Sequence, residues 1–158
     1  KEQGATSNIK VLFLGSNEQQ FDLFTAAYHE APQTFSDIVT KGALNQKAKA
    51  LSRGLISIGE TAAGSNGYEK QDVLLLSSQA EADAIPNLEI HNHDVKCSHG
   101  STIGQVDADK IFYAVSRGIP ENIAKQLIVA GYFAPILAKL KNPLIEEKIR
   151  ETLAKSSS

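Results

Sequence analysis

Short apolar runs separated by turn residues characterise the first hundred residues. Such runs occupy positions 9–14, 55–58 and 73–76, and residues 88–90 alternate between apolar and polar. Gly, Pro, Asn and Ser turn signals recur about every 8–12 residues, the spacing typical of an all-β architecture. Residues 73–76 are continuously apolar, as in a strand that is buried on both faces. The pattern therefore predicts a chain of short strands.

Two stretches in this part are ambiguous, because their apolar residues also have helical spacing. They are Phe21, Phe24 and Tyr28, and then Leu44, Ala48, Leu51 and Leu55. Periodicity alone allows a helix at both places. Neither stretch carries a strong capping residue, so both assignments stay open at this point.

The pattern changes at Asp107, from which three or four short helices are predicted. Asp107 can cap a helix that Gly118 ends, and Pro120 opens the next helix. The pair Asn142 and Pro143 repeats this start. The predicted apolar stripes of the three helices are Ile111, Phe112 and Val115; Ile123, Ala124, Leu127 and Ile128; and Ile145, Ile149 and Leu153.

Composition adds further constraints. The 158 residues are 42% hydrophobic, which fits an ordinary globular fold and argues against global disorder. The chain has no Met, so we expect that it is a piece of a longer protein. Its single Cys excludes an internal disulfide and points to a reducing compartment. A net charge of −2 without a clustered basic face argues against nucleic-acid binding, and the apolar stretches are too short and interrupted for a membrane span.

Three of the four histidines surround the cysteine, at His91, His93 and His99 around Cys97. In a strand Cys97 and His99 share a face, and a thiolate with an imidazole can hold a soft metal or an iron–sulfur unit. His91 and His93 share that face only if no turn intervenes, and Asn92 to Asp94 looks like a turn. The alternative is that Cys97 is a small buried hydrophobe and that the histidines are hydrogen-bonded structure. His29 is isolated and is interpreted as structural or surface-exposed.

A second candidate is a docking surface on the predicted helices. Tyr113 and Arg117 are four residues apart and can project together, and both residue types are enriched among interface anchors. A simple packed helical hairpin explains the same residues equally well.

Several stretches together resemble a known family. The segment 94–107, with Cys97 and His99 inside it, resembles the C-terminal signature of the SufB/SufD family of iron–sulfur cluster assembly proteins, in the SufD-type form. Residues 86–90, 111–113 and 116–120 agree with it, and 41–44 and 72–77 are weaker matches in the expected order. The resemblance extends from about residue 10 to 150, and it suggests a C-terminal fragment.

This resemblance implies a fold: a partial right-handed parallel β-helix over residues 1–106, followed by a small α-helical domain over 107–158. It also favours strands for the two ambiguous stretches. The implied function is a non-catalytic scaffold that pairs with a SufB-like subunit, with a homodimer as a further possibility in isolation. We expect neither nucleic-acid nor membrane partners, and a cytoplasmic location or, if a leader has been removed, a plastid.

The resemblance also implies roles for individual residues. His99 matches the family's interface histidine, with Cys97 beside it as a secondary group, and both are candidate metal ligands. No tightly bound cofactor is expected, only a transient iron–sulfur cluster at the partner interface. The SufC ATPase is expected to dock on the region of Phe112, Tyr113, Arg117, Gly118, Ile119 and Pro120.

Three rival interpretations remain open on the residues alone. A cupin-like metal-dependent enzyme would use His91 and His93, although Lys96–Ser98 replaces the expected Glu. A left-handed β-helix acyltransferase would use one His, but its hexapeptide repeat is not visible. The third is a helical interaction module on a β platform.

Overall fold

The computed structural model of the chain describes residues 2–139, 143–144, 147–149 and 151. Within these residues, seven strands of ten residues each precede two helices. The strands are β1 (Thr6–Gly15), β2 (Gln20–His29), β3 (Phe35–Leu44), β4 (Lys49–Ile58), β5 (Asn66–Leu75), β6 (Glu81–Ile90) and β7 (Lys96–Gln105); the helices are α1 (Ala108–Ser116) and α2 (Glu121–Leu137). No helix in the described part is long and apolar enough to cross a membrane.

The strands coil into a β-solenoid with two parallel sheets. Sheet A has the order β1-β3-β5-β7, and sheet B has the order β2-β4-β6. Residues paired on neighbouring strands of a sheet are 29 to 32 positions apart, so each coil takes about 30 residues. This confirms the mainly β, parallel-coil architecture that the family resemblance implies. It also settles the two ambiguous stretches as strands, within β2 and across β3 and β4.

Every strand keeps one face towards the interior because neighbouring coils pair in register. On β3, for example, Ser36, Ile38 and Thr40 are buried, while the residues between them are at least partly exposed. Ile38, Leu44, Ile56 and Ile58 are completely buried and form much of the apolar interior. Burial of this kind stabilises by roughly 1.5–3 kcal/mol for each large aliphatic side chain.

A polar network fills one corner of the coil, where β2 turns towards β3. The ring nitrogens of buried His29 lie 2.7 Å from Thr34 Oγ1 and 2.8 Å from Ser36 Oγ. Ser65 Oγ lies 2.8 Å from Thr34 Oγ1 and joins the next coil to the network. Burial lowers the pKa of His29 from 6.5, so the ring stays neutral. His29 is therefore structural, as one of the two sequence interpretations had it.

The helices begin and end largely where the sequence predicts. Asp107 caps α1 by accepting a hydrogen bond from the Asp109 N–H at 3.0 Å. Gly118 follows α1 with a φ of 84°, the left-handed conformation that glycine adopts without strain. Pro120 precedes α2, whose first residue is Glu121. Residues 143–144, 147–149 and 151 are also helical, whereas Asn142, Ile145 and Leu153 of the predicted last helix lie outside the described residues.

Helix α2 packs on the outer face of sheet A rather than standing apart from the coil. Val129 and Phe133 contact Ala43 and Leu76, and all four are buried. The Lys41 ammonium group donates to the Tyr132 carbonyl at 3.1 Å. The residues through which α2 makes these contacts, Val129 and Phe133, lie outside the stripe that the sequence pattern predicts.

The buried residues of α2 are Ala124, Val129, Phe133 and Ile136. Ile123 and Leu127, which the sequence pattern assigned to the buried stripe, are 38% and 57% exposed. The reason is that α2 is apolar all round after Gln126, so its second half has no polar face to define its orientation and sheet A selects the contacting face.

Gly42 provides a test of the packing between β1 and β3. A Cβ at this position would overlap the ring of Phe13, which is buried and cannot swing away. We expect Gly42→Ala to lower the free energy of unfolding by about 1–3 kcal/mol, measured by urea denaturation. Gly100→Ala, whose Cβ would meet open space, is the control and should change it by about 0.5 kcal/mol or less. Equal effects of the two variants would contradict this packing.

Candidate functional site: the open end of the solenoid

The described coil has two ends: β1 and β2 are the outermost strands at one, and β7 and β6 are those at the other. No described strand pairs with the free edge of β6 or β7. Within the described residues, no strand of sheet B follows β6 to cover the inward face of β7, so side chains that an inner coil would bury are partly exposed here. Ile103, for instance, is 40% exposed, whereas its inward neighbour on β5, Val73, is buried. We call β6 and β7, with these inward side chains, the open end.

Cys97 and His99 both lie on the inward face of β7. Their register partners on β5 are Gly67 for Cys97 and Glu69 for His99. Both β5 residues point into the coil and are buried. The prediction that Cys97 and His99 share a face is therefore confirmed. His99 is exposed and Cys97 is half-buried, so the two differ in their access to a partner.

Cys97 packs against the apolar interior of the coil. It contacts the cluster that includes Ile38, Ile56 and Ile58. Gly67 makes room for it, since a Cβ there would lie 3.4 Å from the sulfur and 2.7 Å from Ile56 Cγ2. Burial, and secondly the nearby charge of Glu69, raise the pKa of the Cys97 thiol. The thiol form is thereby favoured over the thiolate that binds metals and attacks electrophiles.

Glu69 is the acidic residue of this site, and the sequence analysis did not identify it. It is completely buried, with Oε1 accepting hydrogen bonds from Gln71 Nε2 at 2.8 Å and Thr25 Oγ1 at 3.4 Å. Its Oε2 has no hydrogen-bond partner among the described residues. Burial raises the pKa of the carboxyl, and the hydrogen bonds and His99 oppose the rise.

The alternation of residues along β5 could have revealed Glu69. Counting back in steps of two from the apolar Val73 gives Gln71, Glu69 and Gly67, which are the inward residues. The adjacent charges Lys70 and Asp72 obscure this signal, because the segment as a whole looks like a solvated turn.

His91 and His93 do not join the site. Both are exposed in the turn between β6 and β7, as the sequence predicts. Asn92 fixes this turn by donating to the Glu60 carbonyl at 2.6 Å and accepting from the Asp94 N–H at 2.8 Å. Across the described ranges, no three His, Cys, Asp or Glu side chains are arranged to hold a metal ion.

The second candidate surface lies on α1 and the turn after it. Phe112 and Tyr113 are 73% and 61% exposed, and the Arg117 guanidinium lies 4.9 Å from the centre of the Tyr113 ring. The predicted joint projection of Tyr113 and Arg117 is thus confirmed. A cleft of about 450 Å³ separates α1 from the coil; Leu75, Gln105, Val106, Ile111 and Phe112 are among its lining residues. We call Phe112, Tyr113 and residues 117–120 the helical patch.

Comparison with known proteins finds a family model that spans most of the chain. The chain matches the family model described as SUF system FeS cluster assembly, SufBD core domain, over residues 1–132. The chain belongs to the SufB/SufD family. The match runs from the first coil into α2, so it includes the open end and the helical patch.

Individual relatives are similar over most of the chain. The iron–sulfur cluster assembly protein SufD of Escherichia coli (strain K12) is 31% identical over 147 residues, 93% of this chain and 35% of that protein. SufBD family proteins of Staphylococcus haemolyticus and Staphylococcus epidermidis are each 31% identical over 134 residues, 85% of this chain and 29% of theirs. The chain thus spans about a third of the length of the curated relatives it matches.

The structure and the family assignment also decide against the rival enzymes. A cupin jelly roll is built from antiparallel strands, whereas every strand pair described here is parallel. A hexapeptide acyltransferase repeats every six residues, whereas this coil repeats about every 30 with two long strands. Both enzyme interpretations are therefore wrong.

The environment of Cys97 makes a chemical prediction. We expect its thiol to react with iodoacetamide at pH 7.5 more slowly than glutathione does, because burial and Glu69 disfavour the thiolate. The control is a Cys97→Ser, Ser98→Cys double variant, which moves the thiol to the exposed outward face of the same strand. Its rate should approach that of glutathione. Rapid reaction of Cys97 itself, in the folded protein, would contradict this description.

Proposed function

We propose that this chain is a SufD-like, non-catalytic scaffold subunit of the SUF iron–sulfur cluster assembly machinery, working in the cytoplasm. Family membership and the similarity to the Escherichia coli SufD support the assembly role. The single observation that carries the proposal is the placement of His99 and Cys97 on the uncovered inward face of β7. A subunit that covers the open end would meet both side chains.

A SufB-like subunit is the proposed occupant of the open end. The outermost strands β6 and β7 leave backbone N–H and C=O groups without a described neighbouring strand, and such edges favour pairing with another chain. Half-buried Leu88 and exposed Ile90 and Ile103 add apolar surface. A second copy of this chain would meet the same edge, so the homodimer is the competing occupant in isolation.

The SufC ATPase is proposed to dock on the helical patch. Exposed Phe112 and Tyr113 offer aromatic anchors, and Arg117 stacked on Tyr113 offers a charge at its edge. A short turn joins the two helices and consists of Gly118, Ile119 and Pro120. Movement of a subunit bound at this turn would therefore be transmitted to α2. Helix α2 in turn is packed on sheet A through Val129 and Phe133.

His99 is proposed to act on the nascent cluster, as an iron ligand or as a group that exchanges protons at the interface. Its exposure and the basicity of imidazole near neutral pH suit either role. Cys97 is the secondary group, since its thiol is held in the neutral form. The cluster is cargo in this scheme, held transiently between subunits, and no resident cofactor is assigned.

Co-expression with SufB-like and SufC-like subunits tests the role of His99. We expect the wild-type chain and His99→Ala to capture both partners in a pull-down. The variant complex should carry about tenfold less iron and acid-labile sulfide, because a group at the assembly site is missing. His93→Ala, an exposed histidine six residues away, is the control and should keep the wild-type cluster yield. An unchanged yield in His99→Ala would refute the assigned role.

The docking of the ATPase has its own test. Tyr113→Ala should weaken retention of the SufC-like subunit about 10- to 30-fold, the loss expected for an aromatic anchor, while the SufB-like subunit stays bound. Tyr28→Ala is the matched control, because Tyr28 is 63% exposed but lies on the outer face of sheet B. Equal retention of the ATPase by both variants would remove the helical patch from the proposal.

A further inference from the structure

Strand β6 is the outermost strand of sheet B at the open end, and its outward side chains are accessible. Glu81, Asp83, Ile85, Asn87 and Glu89 are all exposed, Ile85 to 47%. The strand contains three acidic residues and no basic one. Its outward face is therefore acidic, with one aliphatic side chain near the middle.

Within sheet B, outward acidic groups are paired with basic groups on the neighbouring strand. Arg53 on β4 donates to the Asp22 carboxylate on β2 at 2.7 Å. Lys49 on β4 donates to the Glu81 carboxylate on β6 at 2.8 Å. Opposite charges on adjacent strands stabilise a sheet, and like charges in the same place destabilise it. The outer face of this sheet thus uses charge pairs to match one strand to the next.

Asp83 and Glu89 are left out of this pattern. Neither forms an ion pair with any residue that the structure describes. Their in-register neighbours on β4 are Leu51 and Ser57, which carry no charge. The side of β6 that remains for a basic group is its free edge.

The backbone of that edge can bind a strand but cannot choose one. The N–H groups of Glu81 and His91 donate to Ala48 and Ile58, on the β4 side. Backbone groups of a strand alternate between its two neighbours, so those of residues 82, 84, 86, 88 and 90 face the free edge. Pro86 lacks an N–H there, as an edge strand tolerates. Because backbone hydrogen bonds are the same for any sequence, specificity has to come from the side chains.

A strand paired with this edge would lie about 4.8 Å from β6 and would place every second side chain on the outer face of sheet B. Those side chains would stand beside Asp83, Ile85 and Glu89. Lys or Arg beside the two acids would continue the charge pairing of the inner strands. An aliphatic side chain beside Ile85 would cover its exposed surface.

We propose that the outward face of β6 determines which strand pairs with the open end: Asp83 and Glu89 each take a basic side chain of that strand, and Ile85 takes an aliphatic one. The occupant is a strand of the SufB-like subunit, so the inference rests on the proposed function and adds the basis of partner choice. Two copies of this chain are disfavoured at this edge. Two β6 strands side by side would bring acidic groups together, with no basic residue on either strand.

Charge reversal at the edge tests this in the co-expressed complex. The double variant Asp83→Lys, Glu89→Lys should weaken capture of the SufB-like subunit about tenfold, because two attractive pairs become repulsive ones. The matched control is Glu2→Lys, Glu18→Lys, which changes the net charge equally at exposed acids of the opposite end of the coil. It should capture the subunit as the wild-type chain does. Equal capture by the wild-type chain and the edge variant overturns the proposal.

Ionic strength provides a second readout that a merely misfolded variant would not reproduce. Raising NaCl from about 0.05 to 0.5 M should weaken capture by the wild-type chain, since salt screens the attraction. In the edge variant the same change should leave capture unchanged or improve it, since salt then screens a repulsion. Capture of the SufC-like subunit alone should be equal in both, which shows that the variant is folded. A salt effect of the same sign and size in both chains overturns the charge selection.

The outcomes separate this inference from the proposed function. If the wild-type chain captures no SufB-like subunit, the proposed pairing is wrong and the selection by β6 is wrong with it. If the wild-type chain and the edge variant capture it equally, the scaffold role stands and the selection is wrong. If the isolated wild-type chain forms a dimer in sedimentation that the edge variant loses, the edge binds a second copy, and the proposed occupant is wrong.

Discussion

In-register parallel pairing between coils is the constraint on which the rest of the structure depends. Side chains alternate between the two faces of a strand, so a slip of one residue would turn the whole inward set outward. Keeping Ile38, Ile56 and Ile58 inside therefore fixes the facing of every other residue on their sheets. This is why His99 lies on the inward face, together with Cys97, although its side chain is exposed at the end of the coil. Their orientation is determined by the coils beneath, through Gly67 and Glu69.

The same constraint brings polar groups into the interior. Inward positions on β3 and β5 include Thr40, Glu69 and Gln71, all completely buried. An interior built for stability alone would replace them with aliphatic residues, since buried polar groups contribute little net stability even when they are paired. The coil adapts to the acid instead, with glycine at position 54 and hydrogen bonds on one oxygen.

Residue patterning anticipated the turns and the helix termini because these depend on local chemistry. Asp107, Gly118 and the turn at Asn92 all behave as their sequence context predicts. Local patterning did not determine β2 or β4, whose apolar spacing suits a helix equally well; these strands exist because neighbouring coils pair with them, and the family resemblance supplied that information. Local patterning also misassigned Ile123 and Leu127, since contact with sheet A determines which face of α2 is buried. Glu69 was missed because the adjacent charges Lys70 and Asp72 obscure the alternation that places it inside the coil.

The open end leaves His99 exposed to solvent, so covering it would change the electrostatic environment of the site. With water around His99, its attraction to the Glu69 carboxyl is screened, and the ring competes with solvent for each hydrogen bond. A subunit that covers β6 and β7 would remove that water from His99 and from the half-buried Cys97 beside it. The same pair of groups would then interact in a medium of lower dielectric constant, where charge and hydrogen bonding are stronger. In the proposed function, the chemistry of this site would thereby be coupled to assembly: the residues are placed by the coil of one chain, and the partner that covers them would complete their electrostatic environment.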